Sequence, residues 1–254
     1  MGYRAGARFY DLFDTKGNID FYVDLARVTD GSVLELGVGT GRVLFEIARL
    51  GKQVVGIDTS PAMLEVARAK LRGAYAELQS HCRLIEQDMR SFDLDESFGL
   101  IYSASSGLQE IRAEDLPRVF ECVARHLADH GVFAFDVVSP TLLRKSWSGL
   151  AGSSELHDGR KAVRYIEQLY DKEADRTSVT ITYEIVDADG KVVEKFEESG
   201  KLTILTREMI EGMLTEAGFK IKAVYGDFTG GSYDEASPWL VVVAARRQAV
   251  AGGT

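Results

Sequence analysis

Val33-Leu34-Glu35-Leu36-Gly37-Val38-Gly39-Thr40-Gly41 is an apolar run that opens into three glycines at alternate positions. Such a run reads as a buried strand. The glycines after it remove Cβ atoms where the backbone must turn tightly and where a ligand can come close. Arg42 to about Leu50 then reads as a helix whose first backbone N–H groups have no intrahelical partner and face the turn. Spacing separates two ligand classes. A dinucleotide fingerprint, G-x-G-x-x-G, keeps its last glycine for close helix packing around a pyrophosphate, whereas Gly37-x-Gly39-x-Gly41 is shorter and ends at Arg42. The shorter loop suits a ligand without phosphates.

A glycine triplet alone is often only a tight turn, and residues downstream of it, in order, make it a binding loop. Lys52 to Ile57 is a second apolar run and ends in Asp58, about 20 residues past the first glycine, where a carboxylate can accept hydrogen bonds from both hydroxyls of a ribose. Ser60 can cap, and Pro61 can open, a helix carrying Met63, Leu64 and Ala67. That places Asp58 at the carboxyl end of a strand. A third run, Cys82 to Ile85, ends in Glu86-Gln87-Asp88-Met89. An adenine ring matches this pair of side chains: a carboxylate accepts from its exocyclic amine and a thioether packs on its face.

With these residues in place the chain resembles the class I S-adenosylmethionine-dependent methyltransferases. The resemblance lies in VLELGVGTGR at 33–42, VVGIDTSPAML at 54–64, EQDMRSF at 86–92, FGLIYSASS at 98–106 and GVFAFDVVSP at 131–140. It implies S-adenosyl-L-methionine as cofactor and S-adenosyl-L-homocysteine as product. It further implies that Glu35 and the loop of Gly37, Gly39 and Gly41 face the methionine part, Asp58 the ribose, and Asp88 with Met89 the adenine. Thr59 and Met63 would flank the adenosine, and Ser103 would line the pocket at the end of strand four. The string YDLFDTKGNIDFYVDLA at 10–26 is similar to the opening of small-molecule methyltransferases in this superfamily, where an N-terminal segment folds over the cofactor. Tyr10, and with it Tyr22, become lid residues, with packing in the core as the alternative for Tyr22.

Beyond the fifth strand the alternation of strand and helix stops. Val179, Ile181, Tyr183 and Ile185 alternate with polar residues at the period of a half-buried strand, Val163 to Leu169 hints at an earlier one, and Asp189-Gly190 supplies a turn before Val192 to Leu205. This predicts an inserted meander of about three antiparallel strands. Thr206 then caps a helix carrying Met209, Ile210, Met213 and Leu214, Gly218 stops it, and Phe219–Tyr225 and Trp239–Ala245 come next as strands. Earlier in the chain, Ile19, Tyr22, Leu25 and Ala26 fall at helical spacing behind a candidate cap, Asn18.

The expected fold class is α/β: a Rossmann-like seven-stranded sheet with the last strand antiparallel, helices on both faces, and an inserted antiparallel β subdomain. Residues 1–254 read as a single methyltransferase domain, with a lid helix over 1–30, a cofactor-binding core over 31–144, the insertion over 145–205, and the final helix and two strands over 206–254. If the insertion covers the ends of strands four and five, Tyr165, Tyr170, Tyr183 and Phe196 shape an acceptor pocket. The alternative is that this face packs on the core or forms a dimer interface.

Bulk composition narrows the function further. The chain has 254 residues, is 45% hydrophobic and 27% charged, and carries a formal charge of −9, the profile of a folded globular protein without the clustered cations that grip nucleic acid. Cys82 and Cys122 offer no disulfide framework, and His81, His126, His130 and His157 show no metal-ligand spacing; exposed or structural roles are expected for most of these histidines. No metal site is expected. Met1-Gly2-Tyr3-Arg4 opens no secretion signal or myristoylation motif, and no apolar stretch is long enough to cross a bilayer. The expectation is a cytoplasmic enzyme, monomer or homodimer, acting on a small molecule with neither nucleic acid nor membrane as partner.

The general look is similar to bacterial amino-sugar N-methyltransferases, which favours an amine acceptor over a hydroxyl. The Asn/Asp-Pro-Pro-Tyr/Phe signature that grips planar amides is missing, since strand four ends in Tyr102-Ser103-Ala104-Ser105. No catalytic residue is assigned. Gln109, Glu110, Asp136 and Ser139 lie in the region where a base would stand, and each has a structural alternative. Two other readings stay open: a noncatalytic S-adenosylmethionine-binding regulatory module, and a nicotinamide-dependent dehydrogenase, against which the loop spacing already weighs.

Overall fold

Val33–Leu36 (β1) has no exposed position, so it can only be a central strand covered on both faces. The computed structural model describes residues 5–13 and 17–247; Met1 to Arg4, read above for targeting signals, lie outside them. β2 (Val54–Asp58) and β3 (Cys82–Glu86) extend the sheet from one side of β1, and β4 (Phe98–Ser103) and β5 (Leu127–Val138) from the other, all parallel. The chain then forms β6 (Trp147–Glu155), β7 (Lys161–Asp171), β8 (Arg176–Val186) and β9 (Val192–Thr203), a separate antiparallel sheet paired in sequence order. It returns as β10 (Phe219–Tyr225) and β11 (Trp239–Arg246), and β11 runs antiparallel to both β10 and β5. The main sheet has the order β10-β11-β5-β4-β1-β2-β3.

That order creates the site. After β3 at one edge the chain re-enters on the far side of β1 as β4, so β1 and β4 flank the topological switch point where connections diverge and a crevice opens beyond the strand ends. Helices cover both faces. α1 (Ile19–Val28), α2 (Arg42–Ala48) and α3 (Pro61–Arg72) bury Tyr22, Phe45 and Leu64 with Leu100 and Tyr102 on one side. α4 (Leu116–His126) and, after the four-residue α5 (Pro140–Leu143), α6 (Arg207–Glu216) bury Phe120, Val123 and Leu214 with Ile101, Phe133 and Phe135 on the other.

The punctuation residues act as their chemistry dictates. Ser60 and Thr206 each accept the backbone N–H three residues on, Pro61 opens α3, and Gly218 ends the α6 turn with φ +83°. Asn18 differs from expectation: it does not cap α1, because its amide is engaged by Arg42 and Ser105. The insertion has four strands rather than about three. β6 carries Gly149 and Gly152, a bulge after Leu150 and no clean alternation, which is why periodicity missed it. Among the described residues no helix is long and apolar enough to span a membrane, and no cluster of His, Cys, Asp and Glu could hold a metal.

The histidines are structural or exposed, as expected. His126 is buried, with Nε2 accepting from the Leu94 N–H at 2.9 Å and Nδ1 bonded to the Cys122 carbonyl at 2.8 Å. His130 and His157 are exposed, and His81 meets Gln53.

One close approach tests the packing of β4. A Cβ on Gly99 would lie 1.5 Å from the Asp30 carbonyl oxygen, a backbone atom that cannot swing away, whereas one on Gly149 would meet nothing within 4 Å. Gly99→Ala is expected to destabilise the protein by about 3 kcal/mol or more, and Gly149→Ala by less than about 0.5 kcal/mol, measured by urea denaturation.

Candidate active site

The glycine turn is held by β2. The N–H groups of Gly37 and Val38 both donate to the Ile57 carbonyl at 2.9 Å, and Gly37 and Gly39 sit at φ +75° and +53°, a region closed to most side chains. The Asp58 carboxylate clasps the turn from the next residue along: Oδ2 accepts from the Gly39 N–H and Oδ1 from the Ser60 N–H, each at 2.8 Å. Burial raises the Asp58 pKa, and these two N–H groups pull it back. Gly41 serves the helix instead. At φ +77° it precedes α2, and a Cβ there would strike the Phe45 ring at 2.5 Å.

A cavity opens over the ends of β1, β2 and β4. Tyr10, Glu35, Gly37, Gly39, Asp58, Thr59, Met63, Asp88 and Met89 all line it, so sequence positions spread over nearly eighty residues meet at one crevice. Gly41 and Ser103 do not. Ser103, expected at the wall, is fully buried; Ala104 to Gly107 form the wall there, because β4 stops at Ser103 and the next residues turn.

Two acids in the cavity are shifted in opposite directions for physical reasons. Glu35 is almost wholly buried and accepts from the Tyr102 hydroxyl at 2.8 Å. Burial lifts its carboxyl to about 8, against the lowering influence of the Tyr102 hydrogen bond and the Arg42 guanidinium. Asp88 is the opposite case. Arg90 returns to it with Nε at 3.0 and 3.1 Å from the two oxygens and its own N–H at 2.9 Å, and this guanidinium holds the carboxyl below its ordinary range.

Of the four groups weighed as a base, only Glu110 lines the cavity. Gln109 is a stitch: its amide donates to the Val138 and Thr203 carbonyls and accepts from the Val138 N–H, tying β5 to the end of β9. Ser139 is buried at the start of α5, and Asp136 is buried under the turn after β4.

The N-terminal segment 6–13, a 3-10 helix, spans from the insertion to α3. Phe9 and Phe13 pack with Tyr183 and Phe196, the Gly6 N–H donates to Glu198 at 2.9 Å, and Asp11 accepts from the Thr40 hydroxyl and the Lys70 ammonium, both at 2.6 Å. Tyr10 thereby reaches the cavity. Tyr22 does not: it has no exposed surface and stacks on Tyr102 at 4.8 Å, the core alternative. The insertion's aromatic face is likewise covered by 6–13, so Tyr183 and Phe196 bury there, while Tyr165 stays exposed and Tyr170 bonds Asp175; none of the four lines the cavity. Leu202 of β9 is the insertion's contribution.

Sequence reasoning did not assign Arg42, Gln87, Arg90 or Leu202 to this cavity. Arg42 had a signal, since it closes the glycine motif; Leu202 had none, since its place depends on how the insertion folds back.

Glu35 makes stability depend on pH with a definite sign. The unfolded chain loses this proton near 4.5 and the folded chain holds it to about 8, so between those values the native state binds more protons and stability falls as pH rises. Tyr102, Tyr22, Arg42 and Asp58 are the ionisable groups around it. Urea denaturation is expected to show wild type losing on the order of 3 kcal/mol more than Glu35→Gln between about pH 5 and pH 8.

Comparison with known proteins agrees with this geometry. Residues 33–131 match the methyltransferase domain family. The chain is 26% identical over 235 residues to the dTDP-3-amino-3,6-dideoxy-alpha-D-glucopyranose N,N-dimethyltransferase of Streptomyces fradiae, covering 88% of this chain and 87% of that one. Its fold is similar to an S-adenosylmethionine-dependent methyltransferase from Clostridium acetobutylicum, with a TM-score of 0.82, 21% identity and coverage of 96% and 100%. It is also similar to SAM-bound CalS10, an amino pentose methyltransferase from Micromonospora echinaspora, with a TM-score of 0.72, 24% identity and coverage of 97% and 98%. A phosphate-free glycine turn, acids at successive strand ends and a matching domain lead to one assignment: the chain is an S-adenosylmethionine-dependent methyltransferase built on the class I fold.

Proposed function

We propose that this enzyme methylates an amine nitrogen of a small organic acceptor, within one methyltransferase unit spanning residues 1–254. The observation that carries the reading is a single cavity in which cofactor-type groups and an acidic, otherwise apolar recess are continuous. Glu35 and Arg42 face the methionine end, for its ammonium and carboxylate; Asp58 takes the ribose hydroxyls; Asp88, Met89, Met63 and Thr59 take the adenine. Asp58 has lone pairs left for this, because each oxygen receives one backbone N–H. The bound cofactor supplies a methyl group on a sulfonium sulfur as its electrophile.

The recess beside these groups is lined by Ile111, Val138 and Leu202 with Glu110 and Tyr10. Apolar walls with one carboxylate favour a cationic or amine-bearing molecule of modest size. The S. fradiae relative is named for transfer to an amino-sugar nitrogen, which agrees with that chemistry. The protein's part is alignment and exclusion of water by the 6–13 segment, since an amine with a free lone pair attacks without a strong base. The formal charge of −9 argues against a nucleic acid acceptor, and the two free, buried cysteines accord with a reducing cytoplasm; Cys82 is further quenched by burial, which pushes its thiol up to about 11. The chain acts as a monomer or homodimer.

Two experiments bear on this. Asp58→Ala is expected to weaken S-adenosylhomocysteine binding by about 100-fold or more in calorimetry, since it removes the ribose acceptor and releases Gly39; unaltered affinity in a folded variant would overturn the ribose assignment. Incubation with S-adenosylmethionine and a set of small amines, including dTDP-3-amino-3,6-dideoxyglucose, alongside their hydroxyl counterparts, is expected to give methylated product from an amine. Turnover of a hydroxyl compound alone would sink the nitrogen reading.

A further inference from the structure

The cavity wall between the cofactor groups and the recess is a strained turn. Ser105 and Ser106 lie side by side at φ +60° and +64°, a left-handed backbone that serine rarely adopts, and both line the cavity. The turn carries a further burden: the buried hydroxyls of Ser103 and Ser106 have no hydrogen-bond partner among the described residues. Gly107 completes it, where a Cβ would press within 2.7 Å of the Ser103 hydroxyl. Such a conformation persists only when its surroundings over-determine it.

We propose that Asp136 is the positioning residue of this site, holding the 104–107 turn in its left-handed form and so shaping the wall against which cofactor and acceptor sit. Its Oδ1 accepts from the Ser105 N–H at 3.0 Å and its Oδ2 from the Ser106 N–H at 2.9 Å, so each oxygen fixes one of the two unusual residues. A carboxylate suits this task because consecutive N–H groups in such a turn converge on one anion. The Tyr22 hydroxyl donates to Oδ1 at 2.7 Å and orients the acid from α1. Asp136 is fully buried and does not line the cavity, so it acts through the turn rather than on substrate.

The proposal rests on the cavity being the cofactor site, which a wild-type titration with S-adenosylhomocysteine reports by itself. Asp136→Asn keeps the shape but turns one oxygen into a donor facing an N–H. It is expected to weaken S-adenosylhomocysteine by roughly tenfold or more, and adding Ser105→Gly and Ser106→Gly should recover most of that loss, because glycine holds positive φ unaided. A purely structural role would lower the melting temperature without glycine rescue of affinity. Wild-type affinity in Asp136→Asn, or a folded triple variant that stays as weak as the single one, overturns the proposal. If Asp136→Asn does not fold, Ser105→Gly and Ser105→Val carry the same question, since both lose the hydroxyl and differ in tolerance of positive φ. Glycine is expected to bind at least about fivefold more tightly than valine; equal affinities overturn the proposal.

Discussion

The structure depends on one short interaction: the Ile57 carbonyl and the Asp58 carboxylate together seize the backbone of the Gly37–Gly39 turn. A glycine loop has high conformational freedom, and every φ it samples in solution opposes binding. Two N–H groups bound to one carbonyl and a third to a carboxylate remove that freedom before any ligand arrives. The same carboxylate takes the first N–H of the α3 cap region, so loop, β2 and α3 form one rigid unit. Packing completes it, because a Cβ on Gly56 would strike Val38 at 2.6 Å.

Around this unit the molecule uses acids in contrasting ways. Asp58 and Asp136 are acceptors for backbone N–H groups and shape turns, Glu35 is lifted by desolvation, and Asp88 is neutralised by a neighbouring guanidinium. Each lies within two residues of a strand's carboxyl end, on the side of the switch point. The stacked rings of Tyr22 and Tyr102 link two of them, one hydroxyl on Asp136 and the other on Glu35. A polar chain of this kind tolerates little substitution, since removing one member leaves a buried partner unsatisfied.

Local chemistry was legible in the sequence, and long-range chemistry was not. The glycine spacing, Asp58 and the Ser60-Pro61 start are encoded by neighbours in the chain, and Asp88 with Met89 comes directly after a strand end, so counting residues locates them. Tyr22 is a different matter, because its fate is decided by Asp136, 114 positions away, and by a ring it can only meet once β4 is seated. Ser103 is similar: it ends β4 as expected but is buried, and the cavity wall is made instead by the next residues, whose turn the distant Asp136 carboxylate holds. β6 escaped detection because an edge strand rich in glycine has no alternating face to read. Arg90 stands two residues past Asp88, close enough in the chain for charge alone to pair them.

The segment 6–13 is fastened on two flanks, to the insertion through Glu198 and aromatic packing and to α3 through the Lys70–Asp11 ion pair. Tyr10, the segment's contribution to the cavity wall, is placed by both attachments at once. Neither flank is free of charge: Lys70–Asp11 is partly exposed, and on the insertion side Arg8 pairs with Glu194 beside the packed rings of Phe9, Phe13 and Tyr183. Charge therefore fastens the strap at both ends and aromatic packing at one, so added salt loosens both attachments while the ring contacts keep 6–13 seated on the insertion.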